Sequence, residues 1–302
     1  MDRVATAPTS WGLCEVPGWG VQLPPERVLP EMRELGFDAT EAGPDGYLGT
    51  TADEIRSLLE QYELRLIGGF LPLVLHERSA RADAIASATR VAEHFRAAGA
   101  SHLVSAVVVD LEWSPRRTLS RDEWHRVFDG LARVDEIAAE RGLTHVVHPH
   151  WGTLVERRDD VLRVLEDSEA RFCLDTGHLA LGETDPAELA RDAPSRIAHV
   201  HLKDIDAALG AQLRSGELDL VPAVKAGVFR ALGEGDAPIS ATVEALESAG
   251  YTGWYVLEQD TSVASPDVEP GEGPAEDVRR SLDYVLALLA EREAPGKTRM
   301  EP

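Results

Sequence analysis

Arg171 to Asp206 reads RFCLDTGHLALGETDP, then a short polar helix, then SRIAHVHLKDID. Two brief apolar runs stand out in it, Phe172 to Leu174 and Ile197 to Leu202. A short apolar run bounded by polar residues predicts a strand of a buried parallel sheet. Each run ends in residues that bind metals or move protons. Asp175 and His178 follow the first; His201, Lys203 and Asp204 close the second. Functional residues at the C-terminal ends of parallel strands are how a (β/α)8 barrel builds its active site.

Working outward, the same alternation continues. Strands are expected at Arg3 to Pro8, Phe37 to Glu41, Arg65 to Phe70, His102 to Val109 and Thr144 to Val147, with the last at Trp254 to Leu257. Helices are expected between them, at Pro24 to Leu35, from Thr51, at Ser79 to Ala98, Arg121 to Arg141, Asp159 to Asp167 and Ile239 to Ala249. Asp277 to Arg292 closes the series. Thr51 with Glu54 three residues on forms a capping box, and Gly36 and Gly142 end helices. Eight strands alternating with helices predict a single barrel over residues 1–292 rather than two domains. No Gly-rich phosphate loop follows the first strand, which argues against an open doubly wound sheet. Residues 205–238 form a long insertion of the kind that serves as a lid or carries small helices. Residues 293–302 read as a disordered tail.

Composition narrows the classes. The 302 residues carry a net charge of −23, so the surface repels a phosphate backbone and nucleic acid is excluded as a partner. No apolar run reaches the ~18 residues of a membrane span. The N-terminus lacks the basic-then-apolar pattern of a signal peptide. Two cysteines, Cys14 and Cys173, are too few for a disulfide framework and read as buried thiols in strands or strand ends. These features predict a cytoplasmic protein with a small-molecule substrate.

Six of the ten histidines lie between His145 and His201. Four consecutive strand ends carry His148 and His150, Asp175, His201, and Glu258. Neighbouring strand tips of a barrel reach a common point above its mouth, so the set can meet at one cation. Imidazole with carboxylate suits Mn, Co, Fe or Zn; an all-oxygen site would suit Mg better. Any one of these side chains could instead bond a loop, but four strand ends in a row weaken that reading. Lys203, Glu41, His178, His150 and Glu258 are candidate acids, bases or charge stabilisers. Lys203 could alternatively only pair with Asp204 or Asp175, and Glu41 could be a cap or loop acceptor. Trp11, Trp19 and Trp151 fall in strand-end loops, where an aromatic face can meet a sugar or simply pack. Gly233 to Asp236 reads as a turn, since no Lys-Ser/Thr follows it.

With these residues in place the chain resembles the sugar phosphate isomerase/epimerase group of xylose isomerase-like TIM barrels, and within it the inosose dehydratases. The likeness rests on Ala7-Pro8-Thr9-Ser10-Trp11-Gly12, Thr40-Glu41-Ala42-Gly43-Pro44 and His148-Pro149-His150-Trp151-Gly152-Thr153. It continues through Asp175-Thr176-Gly177-His178, His199-Val200-His201-Leu202-Lys203-Asp204, Gly227-Val228-Phe229, Gly233-Glu234-Gly235-Asp236 and Glu258-Gln259-Asp260. It implies a divalent metal, Mn or Co ahead of Zn, Fe or Mg, held by His148, Asp175, His201 and Glu258, with His150 as the second candidate on its strand. Epimerases carry a Glu where this chain has His148. The resemblance therefore implies loss of water from a keto-inositol to give a cyclic diketone in inositol catabolism, with keto-sugar isomerisation or epimerisation as the alternative. Trp11, Trp151, His178 and Lys203 would contact the substrate. Glutathione as a helper thiol and a homo-oligomeric state are left open. Related barrels that cleave abasic DNA need more ligands and a basic face, which this acidic chain lacks.

Overall fold

The apolar runs expected as strands all reach the sheet, and one of them arrives in two pieces. The computed structural model describes residues 2–293. Its strands are β1 (Val4–Thr6), β2 (Ala39–Glu41), β3 (Arg65–Gly68), β4 (Phe70–Leu73), β5 (His102–Val107), β6 (Thr144–Val147), β7 (Phe172–Asp175), β8 (Ile197–Leu202), β9 (Asp204–Ile205), β10 (Phe229–Arg230) and β11 (Tyr255–Leu257). Its helices are α1 (Pro25–Glu34), α2 (Ala52–Gln61), α3 (Arg81–Ala98), α4 (Arg121–Glu140), α5 (Arg158–Asp167), α6 (Thr176–Leu181), α7 (Pro186–Asp192), α8 (Ala207–Ser215), α9 (Leu220–Lys225), α10 (Ile239–Ser248) and α11 (Pro274–Glu293). Residues 294–302 of the expected tail lie outside the described residues, and Glu293 itself closes α11.

The large sheet runs β3-β2-β1-β11-β8-β7-β6-β5-β4 with every pairing parallel. Its two ends, β3 and β4, are halves of one extended run interrupted at Gly69, so the sheet closes into a (β/α)8 barrel. The sequence pattern predicts this run as one strand ending at Phe70. Position 69 has room only for glycine: a Cβ there would lie 2.6 Å from the Phe95 ring of α3 and 2.8 Å from Ala42 Cβ. The first strand is also shorter than expected. Pro8–Trp11, read as strand end and loop, is a turn of 3-10 helix closed by Gly12 in the left-handed region, φ 84°. Cys14, expected in or at the end of a strand, lies in irregular chain and is half-buried; Cys173 is fully buried on β7.

The helices form where caps and apolar spacing agree. Thr51 Oγ1 accepts the Glu54 N–H, and the Glu54 carboxylate accepts the Thr51 N–H, as the capping box requires. Outward-facing strand residues such as Leu174, Val200, Leu202 and Leu257 meet Val161, Val164, Val243 and Leu246 of the surrounding helices in the main core. Each fully buried Leu or Val contributes on the order of 1.5–3 kcal/mol. The connection after β7, expected as one short helix, holds both α6 and α7, separated by a turn in which Glu183 adopts φ 63°.

The insertion 205–238 carries its own structure. β9 and β10 pair antiparallel, with α8 and α9 between them. A second apolar core, including Trp19, Trp151, Leu181, Leu213, Val224 and Phe229, packs it onto the barrel. Asp204 fixes it from below: its buried carboxylate accepts the backbone N–H of Ile205, Gly233, Gly235 and Ala237, at 2.9–3.0 Å. The Gly233–Asp236 turn thus cradles an internal carboxylate. No helix among the described residues is long and apolar enough to cross a membrane.

Candidate active site

A strand presents alternate residues to opposite faces, so the barrel interior can be counted off in steps of two. Ala5, Ala39 and Val256 form one interior apolar group, and Val104, Val146 and Cys173 another. His199 is paired in register with Cys173. Two residues further along each of the strands β2, β6, β7, β8 and β11 come Glu41, His148, Asp175, His201 and Glu258. All five are buried, from fully so at Asp175 to 8 % exposed at Glu258. The fold therefore brings together, at the C-terminal mouth of the barrel, the four side chains expected to share a cation.

Their geometry suits a shared ligand. Ligand atoms of Asp175, His201 and Glu258 all lie within 4.8 Å of one another. His201 Nδ1 is 3.2 Å from Glu258 Oε2 and 3.8 Å from Asp175 Oδ2, yet this buried nitrogen has no hydrogen-bond partner. The nitrogen and the Glu258 oxygen are thus in close contact without hydrogen-bond alignment. His148 Nε2 stands 3.3 Å from the same Asp175 Oδ2. Asp175 divides its work: Oδ1 caps α6 by accepting the N–H of Gly177 and His178, which leaves Oδ2 facing the site. Burial opposes ionisation of Asp175 and Glu258, but Lys203 beside Asp175, and His201 and Lys203 beside Glu258, hold both carboxyls far below their usual range. Two imidazoles and two carboxylates fit a Mn, Co, Fe or Zn ion. His150, the alternative ligand on β6, is directed elsewhere. Its Nδ1–H donates to the Trp151 carbonyl, and it groups with His178 and Asp260.

Lys203 is the centre of a second cluster beside the first. Its ammonium is 1 % exposed, donates to Asp260 Oδ1 at 2.9 Å, and lies 3.1 Å from Glu258 Oε2 and 3.5 Å from Asp175 Oδ2. His178 Nε2 is 3.0 Å away. Of the two partners considered for Lys203, Asp175 is in reach, whereas Asp204 is occupied by backbone amides. Gly177 makes room for the lysine stem, since a Cβ there would lie 2.8 Å from Lys203 Cγ. Burial works against the ammonium, but Asp175 and Asp260 outweigh it and raise its pKa. Burial pushes the Asp260 carboxyl up to about 6. His150 and His178 pack with ring centroids 3.8 Å apart, tilted by 43°, and burial lowers both, His150 to about 3.

Glu41 is neither a helix cap nor a loop acceptor. Its Oε1 is 2.7 Å from His199 Nε2 and 3.2 Å from His201 Nε2. The tryptophans are also placed differently from expectation. Trp11 is fully buried in the main core with its Nε1–H on Glu31 Oε2, and Trp151 packs in the second core under the Arg157 guanidinium. Neither lines the cavity above the barrel, which measures about 630 Å³ and reaches His148, His150, His201, Lys203, Glu258 and Asp260. Trp19, Phe70, Phe95 and Trp113 are among its aromatic lining. Phe70 and Trp113 stack at 6.2 Å, and both rings lean on His150. Trp113 adopts φ 59°, a backbone conformation no sequence pattern announces. Asp260 and His199 also escaped role assignment, although the two-residue step from Glu258 and from His201 points to each.

The buried imidazoles make stability depend on pH. Burial lowers His76, His102, His148, His150, His178 and His199, His102 to about 4. An unfolded histidine titrates near ~6.5, so below that pH the unfolded chain binds more protons and stability falls on acidification. His201, raised by Cys173 and Glu258 against the effect of burial, contributes a constant amount below that pH. Asp260 acts oppositely between about 4 and 6, as one group against several. The urea midpoint of the metal-free protein is expected to drop between pH 6.5 and 4.5; a midpoint that holds or rises would contradict the burial of these rings.

Comparison with known proteins agrees with the barrel fold. The profile of the xylose isomerase-like TIM barrel family matches residues 29–287. An inosose dehydratase of Geobacillus kaustophilus (strain HTA426) is 32% identical over 278 residues, 87% of this chain and 90% of that protein. The rhizopine catabolism protein MocC of Rhizobium meliloti is likewise 32% identical over 278 residues, 87% of this chain and 84% of that protein. Among solved structures, a D-allulose 3-epimerase from Methylomonas sp. superposes with TM-score 0.71 at 16% identity, covering 95% of this chain and 97% of that one. The IOLI protein with a bound zinc atom superposes with TM-score 0.69 at 13% identity, covering 97% and 99%. At such identities these two structures speak for the fold alone.

Proposed function

We propose, from the premise that this chain belongs to the xylose isomerase-like TIM barrel family, that it is a hydro-lyase that removes water from a keto-inositol (an inosose) to give a cyclic diketone. The observation that carries the reading is the pair of adjoining clusters. Asp175, His201, Glu258 and His148 can hold a divalent cation, and Lys203, Asp260, His178 and His150 adjoin them with titratable groups. Relatives named inosose dehydratase at 32% identity support it.

A cation held there would supply Lewis acidity toward the substrate ketone. The chain's own residues do the rest. His150 is the proposed base. Its Nδ1–H is committed to the Trp151 carbonyl, so the Nε2 lone pair is free, and burial keeps the ring neutral. The proton it removes is the one on the carbon beside the ketone. Lys203 places positive charge where the enolate develops, and Asp260 and His178 hold the ammonium in position. Asp260, with its carboxyl near 6, can protonate the departing β-hydroxyl. A positioned acid or base of this kind contributes ~10²–10⁴-fold in rate. Phe70 and Trp113 offer apolar faces to the C–H side of a polyol ring and help to exclude water.

Incubation with an inosose and Mn or Co is expected to yield a product lighter by one water, with new near-ultraviolet absorbance, and no product in the presence of a chelator. A product of unchanged mass would establish isomerisation or epimerisation instead. Tight polyol binding in chelator without turnover would make the protein a sugar-binding module.

A further inference from the structure

Glu41 lines the cavity and would ordinarily be taken for a proton carrier. Its hydrogen bonds point elsewhere. We propose that Glu41 is a positioning residue, held by His199, that fixes the tautomer of His201 and so turns His201 Nδ1 into a cation ligand. The inference rests on the cation site proposed above and assigns the residues behind it.

A neutral imidazole carries one N–H, and an ionised carboxylate only accepts. With a cation bound and His201 neutral, Nε2 at 3.2 Å from Glu41 Oε1 would keep the ring proton and the lone pair would be left on Nδ1. Nδ1 is the buried nitrogen that has no hydrogen-bond partner and faces Asp175 and Glu258. Glu41 is fixed in turn, because His199 Nε2 meets the same oxygen at 2.7 Å. His199 is fully buried, and its ring packs against His102 with centroids 4.6 Å apart. Glu41, His199 and His201 also lie close enough to grip a cation of their own. However, Glu41 Oε1 and both Nε2 atoms are already spent on each other. A carboxylate behind a ligating histidine is worth ~10–100-fold in metal affinity.

The test compares Co(II) binding by the whole wild-type chain, Glu41→Gln and His199→Leu, using chelator competition and the visible absorption of bound Co(II). Circular dichroism checks the fold. Glu41→Gln is expected to bind Co(II) ~10–100-fold more weakly, with an altered spectrum, while kcat at saturating metal stays within about tenfold of wild type. His199→Leu is expected to weaken binding in the same direction by a smaller factor, and it decides the matter if Glu41→Gln does not fold. Wild-type affinity and spectrum in Glu41→Gln, with kcat down ~10²–10⁴-fold, would make Glu41 a proton carrier and overturn the inference. Unchanged affinity in every variant that folds overturns it as well. A wild-type chain that binds no Co(II) removes the cation site itself, and this inference with it.

Discussion

His201→Ala is expected to abolish metal retention and to lower kcat/KM by ~10³-fold or more, and Glu258→Gln to do the same with almost no change in shape. The expectation follows from the contacts. His201 Nδ1 stands between Glu258 Oε2 at 3.2 Å and Asp175 Oδ2 at 3.8 Å, so either substitution takes one corner from a site of few ligands. Lewis-acid stabilisation is worth several kcal/mol, and each ~1.36 kcal/mol is a factor of ten in rate. The fold should survive both changes. The stabilising core lies outside the barrel, between strands and helices, and neither residue belongs to it. Metal content by elemental analysis after gel filtration, with circular dichroism as the control, reads the result. Full activity and full metal content in either variant would remove the assignment of the site.

Lys203→Met should act on the fold as well as on the chemistry. Three carboxylates, from Asp175, Glu258 and Asp260, surround the ammonium within 3.5 Å, and all are buried. Methionine keeps the length of the stem through the gap left by Gly177 but removes the charge. Breaking a buried pair by deleting one partner costs about 3–5 kcal/mol, because the remaining charge is left uncompensated. The metal-free variant is therefore expected to unfold at markedly lower urea than wild type. Addition of Mn or Co should recover more stability in the variant than in wild type, since a cation between Asp175 and Glu258 replaces part of the missing charge. Equal urea midpoints for variant and wild type in chelator would mean that these carboxylates are already protonated. Activity should fall by ~10²–10⁴-fold even at saturating metal, which separates the chemical role from the structural one.

The part of this arrangement that could be read from the chain is the part that depends on period. Short apolar runs and helical spacing report which face of an element is buried, and they gave the barrel. Counting two residues on from Ala39, Val146, Cys173 and Val256 lands on Glu41, His148, Asp175 and Glu258, so strand ends were legible too. Direction beyond the strand end was not. Trp11 lies in a 3-10 turn that sends its ring into the core toward Glu31, and nothing in Pro8–Trp11 signals that turn. Trp113 reaches the cavity through a left-handed φ that a non-glycine residue rarely adopts. The need for glycine at position 69 depends on where Phe95, far along the chain, comes to rest. Glu41 was visible as a strand-end acid, but its role depends on His199 and His201, more than 150 positions away.

Asp204 ties these observations to the way such a site can change. The strand that carries His201 and Lys203 ends in the carboxylate that gathers the amides of residues 205, 233, 235 and 237. Both ends of the insertion are thus anchored at one carboxylate, with α8 and α9 between them. Exchange of α8 and α9 for another segment would leave that anchor, and His201 and Lys203 beside it, where they are. Loss of the anchor would loosen the insertion and the end of β8 together.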